Sequence, residues 1–334
     1  MTSPEVTPPP APRKQTRKRY AAASATLGAV LAAAGLYFVV SKIVRGWSDY
    51  GDTIRHARWG WIVLGLLLAF LGMATLGQVW RSVLASLGAR VSRRNIFIWY
   101  QLGNLGKYVP GGIFQVLGRG ELATRGGVTR SVAYNSVALS MGATYVCGAL
   151  VSAVLLPFAL LEHGSIRSSW WVFLIIPLGL ACLRPGLLDR VFRLAEKAFG
   201  GSEDRQVPSW TQSVRLVSLH TPGWLLNGLA CYVVTLTFDP SPRFFTIVFA
   251  GIVSWVAGFV VIFAPSGLGV REAMFVAITQ ASLGGSTAAT VAIISRLVFV
   301  AGDALGATIA AMLRLRYRRG LDRAARHHGR PTSA

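Results

Sequence analysis

Seven ionisable residues, Lys107, Arg119, Glu121, Arg271, Glu272, Arg296 and Asp303, stand inside or beside long apolar stretches of the sequence. On insertion scales a charged side chain at the centre of a bilayer costs about 2.5–3.5 kcal/mol, so seven facing lipid would cost on the order of 20 kcal/mol. They must therefore pair, reach an interface or line water. Four cations against three anions leave one surplus positive charge. Arg271 follows Pro265, Gly267 and Gly269, which places it at the start of a half-helix near Val270. The free N–H groups of a helix start favour an anion, and a guanidinium holds phosphate through two parallel hydrogen bonds. Glu272 points about 100° away from Arg271 on a helix and is free to hold Arg296. Arg296 and Asp303, seven apart, share one helical face. The chemistry implied is recognition of a phosphate group.

Two interrupted segments carry these residues. The first, IFIWYQLGNLGKYVPGGIFQVLG at 96–118, holds Lys107 and the breakers Pro110, Gly111 and Gly112, with Arg119 and Glu121 just beyond. The second, APSGLGVREAMFVAITQASLG at 264–284, holds Pro265, Gly267 and Gly269 before Arg271 and Glu272. Proline and glycine break a helix in the middle of an apolar run. Non-helical backbone at membrane depth persists only inside protein or beside a watery cavity. Interrupted segments in two halves of a transporter point to its binding site. The candidate substrate-binding set is therefore Lys107, Pro110, Gly111, Gly112, Arg119, Glu121, Pro265, Gly267, Gly269, Arg271, Glu272, Arg296 and Asp303.

Enzyme signatures are missing. The sequence has no H-E-x-x-H, no G-x-S-x-G and no P-loop, and no group of Cys, His and acid at metal-ligand spacing. No catalytic residue, metal or cofactor is expected. Cys147, Cys182 and Cys231 fall in apolar runs and read as small buried hydrophobes.

The elements that must position these residues are membrane helices. The chain has 334 residues, 53% hydrophobic and 14% charged, against about a quarter charged in soluble domains. Apolar runs recur at 20–43, 59–79, 131–158, 169–183, 214–238, 244–264 and 287–313, and about 20 such residues cross a bilayer. The net charge of +21 collects at the ends of these runs rather than on a soluble face, which excludes nucleic-acid binding. Basic clusters before the first run and after the last place both termini in the cytoplasm. The same rule places the loop 184–215 inside. The expected fold is an all-α polytopic membrane protein with about eight transmembrane helices plus a re-entrant hairpin at 96–118 and a candidate inverted repeat. The segment 264–284 reads as a broken crossing. An alternative map makes 96–118 the crossing and 264–284 re-entrant, at the cost of exporting the loop 184–215. Residues 1–19 and 314–334 read as basic cytoplasmic tails around one membrane domain, 20–313.

GKYVPGG at 106–112, followed by Arg119, and PSGLGVREA at 265–273, followed by Arg296, resemble the flippase-like membrane domain of lysylphosphatidylglycerol synthases. The resemblance covers about 21–313 and includes stand-alone membrane proteins of this length. It implies movement of a lipid between leaflets, with an anionic phospholipid or a polyprenyl-linked molecule as substrate. Pro110, Gly111, Gly112, Arg119, Pro265, Gly267, Gly269, Arg271, Glu272 and Arg296 are the matching positions. Where many relatives carry a Glu-Arg pair after the first motif, this chain has Tyr134-Asn135. The soluble aminoacyl-transfer domain of the full synthases has no counterpart in the sequence, so lipid aminoacylation is not expected from this chain alone. The expected function is translocation of an anionic phospholipid or lipid-linked precursor across the cell membrane. The competing expectation is a non-transporting subunit that docks a glycosyltransferase or another lipid-modifying enzyme.

Overall fold

The structure, a computed structural model, describes residues 58–109, 113–162, 186, 209–260 and 265–328. The apolar runs 20–43 and 169–183, the N-terminal tail and most of the loop 184–215 lie outside the described residues. Within them the chain is helical: α1 (Trp59–Ser86), α2 (Arg93–Asn104), a 3₁₀ turn (Leu105–Tyr108), α3 (Ile113–Arg125), α4 (Arg130–Leu161), α5 (Trp210–Ser218), α6 (Thr221–Thr235), α7 (Phe244–Val260), a second 3₁₀ turn (Pro265–Gly267), α8 (Val270–Leu283) and α9 (Gly285–His328). No strand occurs among the described residues.

α1, α4 and α9 are long and apolar enough to cross a membrane, and α7 is a shorter apolar helix. α1 shows how such a helix divides its surface. Gly65, Ala69, Gly72, Met73, Leu76 and Trp80 form its buried side. Val63, Leu67 and Leu71, four residues apart, stay exposed. In water that stripe would be a liability, whereas against lipid tails it costs nothing. The run expected as one span at 214–238 is two helices. Ser209 caps α5 by accepting the Gln212 N–H at 3.3 Å, α5 ends at Ser218, and Pro222 sits in the first turn of α6, where a missing N–H is harmless. Buried His220 fills the joint, its Nδ1 2.7 Å from the Leu216 carbonyl oxygen. α9 continues to His328, into the basic segment 314–334.

Both interrupted segments are helical hairpins. In the first, Gly106 faces Phe114, Gly103 faces Arg119 and Gly126 faces Trp99, so α2 and α3 run antiparallel. At 12 and 13 residues each is about 18–20 Å long, short of the roughly 30 Å hydrocarbon core. In the second, Gly258 of α7 faces Gly267 and Arg271, and α7 packs along α8. The chain therefore turns back here instead of completing a broken crossing. Hydrophobic periodicity sets where a helix lies but not which way the next one runs, and the breakers Pro265, Gly267 and Gly269 allow a full reversal.

The two hairpins approach the long helix α9 from opposite ends. Along α2, Arg94 stacks on Tyr317, Gln101 faces Gly306 and Asn104 reaches Asp303. α8 instead leads into α9 through Gly284 and pairs Glu272 with Arg296. Their tips meet where Leu105–Tyr108 packs against Pro265–Gly267. Packing repeats in the same order on both sides. α1 touches α2 as α6 touches α7, α3 touches α4 as α8 touches α9, and α2 touches α9 as α7 touches α4. α1 and α6 are antiparallel, with Gly65 against Val234, Gly72 against Asn227 and Leu76 against Gly223. Residues 59–161 and 221–317 thus form an inverted repeat, the arrangement from which transporters build a central site.

Candidate functional site

Each hairpin presents one arginine in the same way. On α2, Tyr100 lies one turn before Gly103, and a Cβ at Gly103 would stand 2.6 Å from Arg119 Cγ. The Arg119 guanidinium then lies flat on Tyr100, 3.8 Å from the ring centroid. On α7, Trp255 lies one turn before Gly258, which leaves room for the Arg271 stem. The Arg271 guanidinium lies 3.7 Å from the Trp255 centroid. A cation on a ring face gains electrostatic attraction without a carboxylate, and its N–H edge stays available.

The chain reaches the second of these positions through strained backbone. Ser266 has φ 52°, Gly267 φ 67° and Gly269 φ 82°. Glycine carries such angles freely, whereas Ser266 does so at a cost. Glu272 secures the loop from both ends. One carboxylate oxygen accepts the Gly269 N–H at 2.7 Å, and the other accepts Arg296 Nη1 at 2.9 Å. Arg296 also donates to the Ser266 carbonyl oxygen at 3.3 Å.

Asp303 organises the first hairpin tip. It accepts Asn104 Nδ2 at 2.8 Å and the Tyr108 hydroxyl at 2.6 Å, and lies 2.6 Å from Lys107 Nζ. Its side chain is 2% exposed. Asn104 in turn accepts Gln115 Nε2 at 2.8 Å and Arg119 Nη2 at 3.1 Å. A buried carboxylate that serves three donors is well compensated.

Between the tips is a cavity of about 310 Å³. Lys107, Arg119 and Arg271 supply its charge, Asn104, Gln115, Ser266 and Asn227 are among its other polar groups, and residues such as Met73, Trp224 and Phe259 form its apolar wall. No carboxylate lines it among the described residues. Arg119 and Arg271 have no carboxylate within ion-pair distance there either, while Lys107 and Arg296 do. A second cavity of about 510 Å³ lies between α8 and α9, walled by Ala273, Val276, Ala289 and Ile293, with Gly269, Glu272 and Arg296 at its polar end.

The structure thus brings Lys107, Arg119, Gly267 and Arg271 to one cavity, and Gly269, Glu272 and Arg296 to the other. Asp303 stands behind the first. Glu121 does not join them; it pairs with Arg125 at 2.8 Å on the outer side of α3, half-exposed. Pro110, Gly111 and Gly112 lie outside the described residues, and Pro265 opens the second 3₁₀ turn. Sequence reasoning missed Tyr100, Asn104, Tyr108, Gln115 and Trp255. The signal for two of them is an aromatic residue three before a glycine, present on both α2 and α7. Tyr134 takes up the position of the departure noted above and packs on Gly120.

Helical hairpins that meet around a charged cavity inside an apolar bundle define a polytopic membrane protein. The transmembrane region of lysylphosphatidylglycerol synthase, as a family, matches residues 25–307, and the chain belongs to that family. No curated protein matched the sequence.

Proposed function

We propose that the protein moves a lipid with an anionic headgroup between the leaflets of the cell membrane, with its basic C-terminal end in the cytoplasm. The observation that carries this reading is the central cavity, where three cations and no carboxylate form the charged lining among the described residues. The headgroup sits between the hairpin tips, held by Arg119 and Arg271, with Lys107 kept in place by Asp303. The apolar wall shields the acyl region near the headgroup. Inverted halves around a mid-depth site suit alternating exposure to the two leaflets, and the family's membrane region is linked to lipid flipping. The phospholipid or lipid-linked precursor expected from the sequence fits this cavity by charge.

The test is a liposome assay with the purified protein and a tail-labelled phosphatidylglycerol or polyprenyl phosphate. Bleaching of the inner-leaflet label by an impermeant reductant should run faster than in protein-free vesicles and slow in Arg271→Ala. A rate equal to that of protein-free vesicles for every anionic lipid defeats the proposal. Binding without movement would instead match a subunit that holds a lipid for a partner enzyme.

A further inference from the structure

The charge in the central cavity goes beyond a general preference for anions. Lys107 is neutralised by Asp303 at 2.6 Å, and Arg296 by Glu272 at 2.9 Å. Glu121, the acid nearest to Arg119 in sequence, is engaged with Arg125 outside the cavity. The residues that join the helices of each hairpin, 110–112 and 261–264, carry no charge. Two guanidiniums, Arg119 and Arg271, therefore have no carboxylate within ion-pair distance among the described residues.

These two are not equivalent to a diffuse positive patch. Each comes from one half of the inverted repeat, and each lies on an aromatic ring, at 3.8 Å and 3.7 Å from the centroid. Stacking occupies a guanidinium's face and leaves the planar fork that matches two phosphate oxygens. Arg119 is 3% exposed, and its Nε has no hydrogen-bond partner. The amide atoms of Asn227, on the wall of the same cavity, have none either. Buried donors without partners are unfavourable; Arg119 Nη2 already donates to Asn104 Oδ1 at 3.1 Å, so its Nε is the donor of that guanidinium left for a ligand. A headgroup with one negative charge satisfies one arginine and leaves its equal bare.

We infer that the ligand of this cavity is a lipid whose phosphate headgroup carries at least two negative charges, enough to serve both Arg119 and Arg271. The chemistry is that of a lipid phosphomonoester or a lipid diphosphate, as opposed to a phosphodiester such as phosphatidylglycerol. This rests on the proposed anion-binding role of the cavity and narrows it.

The experiment is equilibrium binding to the full chain in detergent, read by the fluorescence of the tryptophans, of which Trp224 and Trp255 line the cavity. The titrants are phosphatidic acid, polyprenyl phosphate, polyprenyl diphosphate, phosphatidylglycerol and phosphatidylcholine, above neutral pH. The phosphomonoesters and the diphosphate should bind at least about tenfold tighter than phosphatidylglycerol, as expected for at least one additional charge-assisted pair. Arg119→Gln and Arg271→Gln should each bring these lipids down to the affinity of phosphatidylglycerol, while phosphatidylglycerol itself changes only a few-fold. Preference for the monophosphates over the diphosphate, or the reverse, identifies which source of charge fits. Equal affinity for phosphatidylglycerol and phosphatidic acid would overturn the inference and leave the anion-binding role intact. Failure of all the anions to outcompete phosphatidylcholine would remove both. Arg271→Lys, which keeps the charge, guards against loss through misfolding; it should retain part of the preference over phosphatidylglycerol.

Discussion

Arg271 and Glu272 are neighbours in the chain, the first lining the central cavity and the second the cavity between α8 and α9. The guanidinium of Arg271 lies on Trp255 in the central cavity, and the Glu272 carboxylate holds Arg296 beside the second. Their substitutions should separate accordingly. Glu272→Ala strands Arg296, which is 6% exposed, and breaking a buried pair costs about 3–5 kcal/mol. Thermal unfolding in detergent should show that loss. Arg271→Ala removes a buried cation that has no carboxylate within ion-pair distance, so its melting temperature should hold or rise while lipid movement stops. A stable, fully active Arg271→Ala protein would take this residue out of the mechanism.

Asp303 answers Lys107, Asn104 and Tyr108 at once. Asp303→Asn should destabilise the protein by about 3–5 kcal/mol, because Lys107 is left buried without its counter-charge. Lys107→Met in the same chain should restore part of that stability, since the two changes couple. Additive losses in a double-mutant cycle would mean that the ion pair contributes nothing.

Glycine tests the hairpin geometry directly. A Cβ at Gly258 meets the stem of Arg271, whereas one at Gly142 meets nothing within 4 Å. Gly258→Ala should push Arg271 off Trp255 and lower transport at least as far as Arg271→Lys does. Gly142→Ala, on an open face of α4, should leave transport unchanged and stabilise the helix by up to about 1 kcal/mol.

Glu121 and Arg125 form an exposed pair four residues apart, the kind worth about 0.3–0.5 kcal/mol at most. Glu121→Gln should therefore leave both melting and lipid transport near those of the unaltered protein. A large loss of transport would bring Glu121 back into the binding set.

The inverted repeat places the turn after α3 and the turn after α8 on opposite faces of the membrane. Thr129 and Ser286 are both exposed there. With the basic C-terminal end inside, a single cysteine at Ser286 should react with an impermeant reagent added to intact cells, and one at Thr129 should not. Labelling of both from the same side would break the repeat.

Charge and helix breakers made much of this site readable in the sequence. The start of α8 at Val270, the pairing of Glu272 with Arg296 and the burial of Arg296 and Asp303 all follow from spacing and from the cost of charge in lipid. Glu121 did not obey the same logic. It lies two residues from Arg119, about 200° around the helix, so the two cannot share a cavity. Asn104, Tyr108 and Gln115 are uncharged, and nothing in composition distinguishes them from polar residues at an interface. Tyr100 and Trp255 pass for ordinary membrane aromatics until their glycines are seen to admit an arginine. The reversal of the chain between α7 and α8 depends on packing across the bundle, which no local pattern contains.

α9 has 44 residues, a rod of about 66 Å and twice the hydrocarbon thickness. It carries Arg296, Asp303 and Tyr317 along one shaft, with the tip of the first hairpin clamped at Asp303. Such a shaft is a lever. A tilt of about 5° around Asp303 moves Tyr317 sideways by about 2 Å one way and Arg296 by about 1 Å the other. The 2.9 Å bond from Arg296 to Glu272 does not survive a stretch of that size as a hydrogen bond. A tilt of the last helix would thereby reach the loop that holds Arg271.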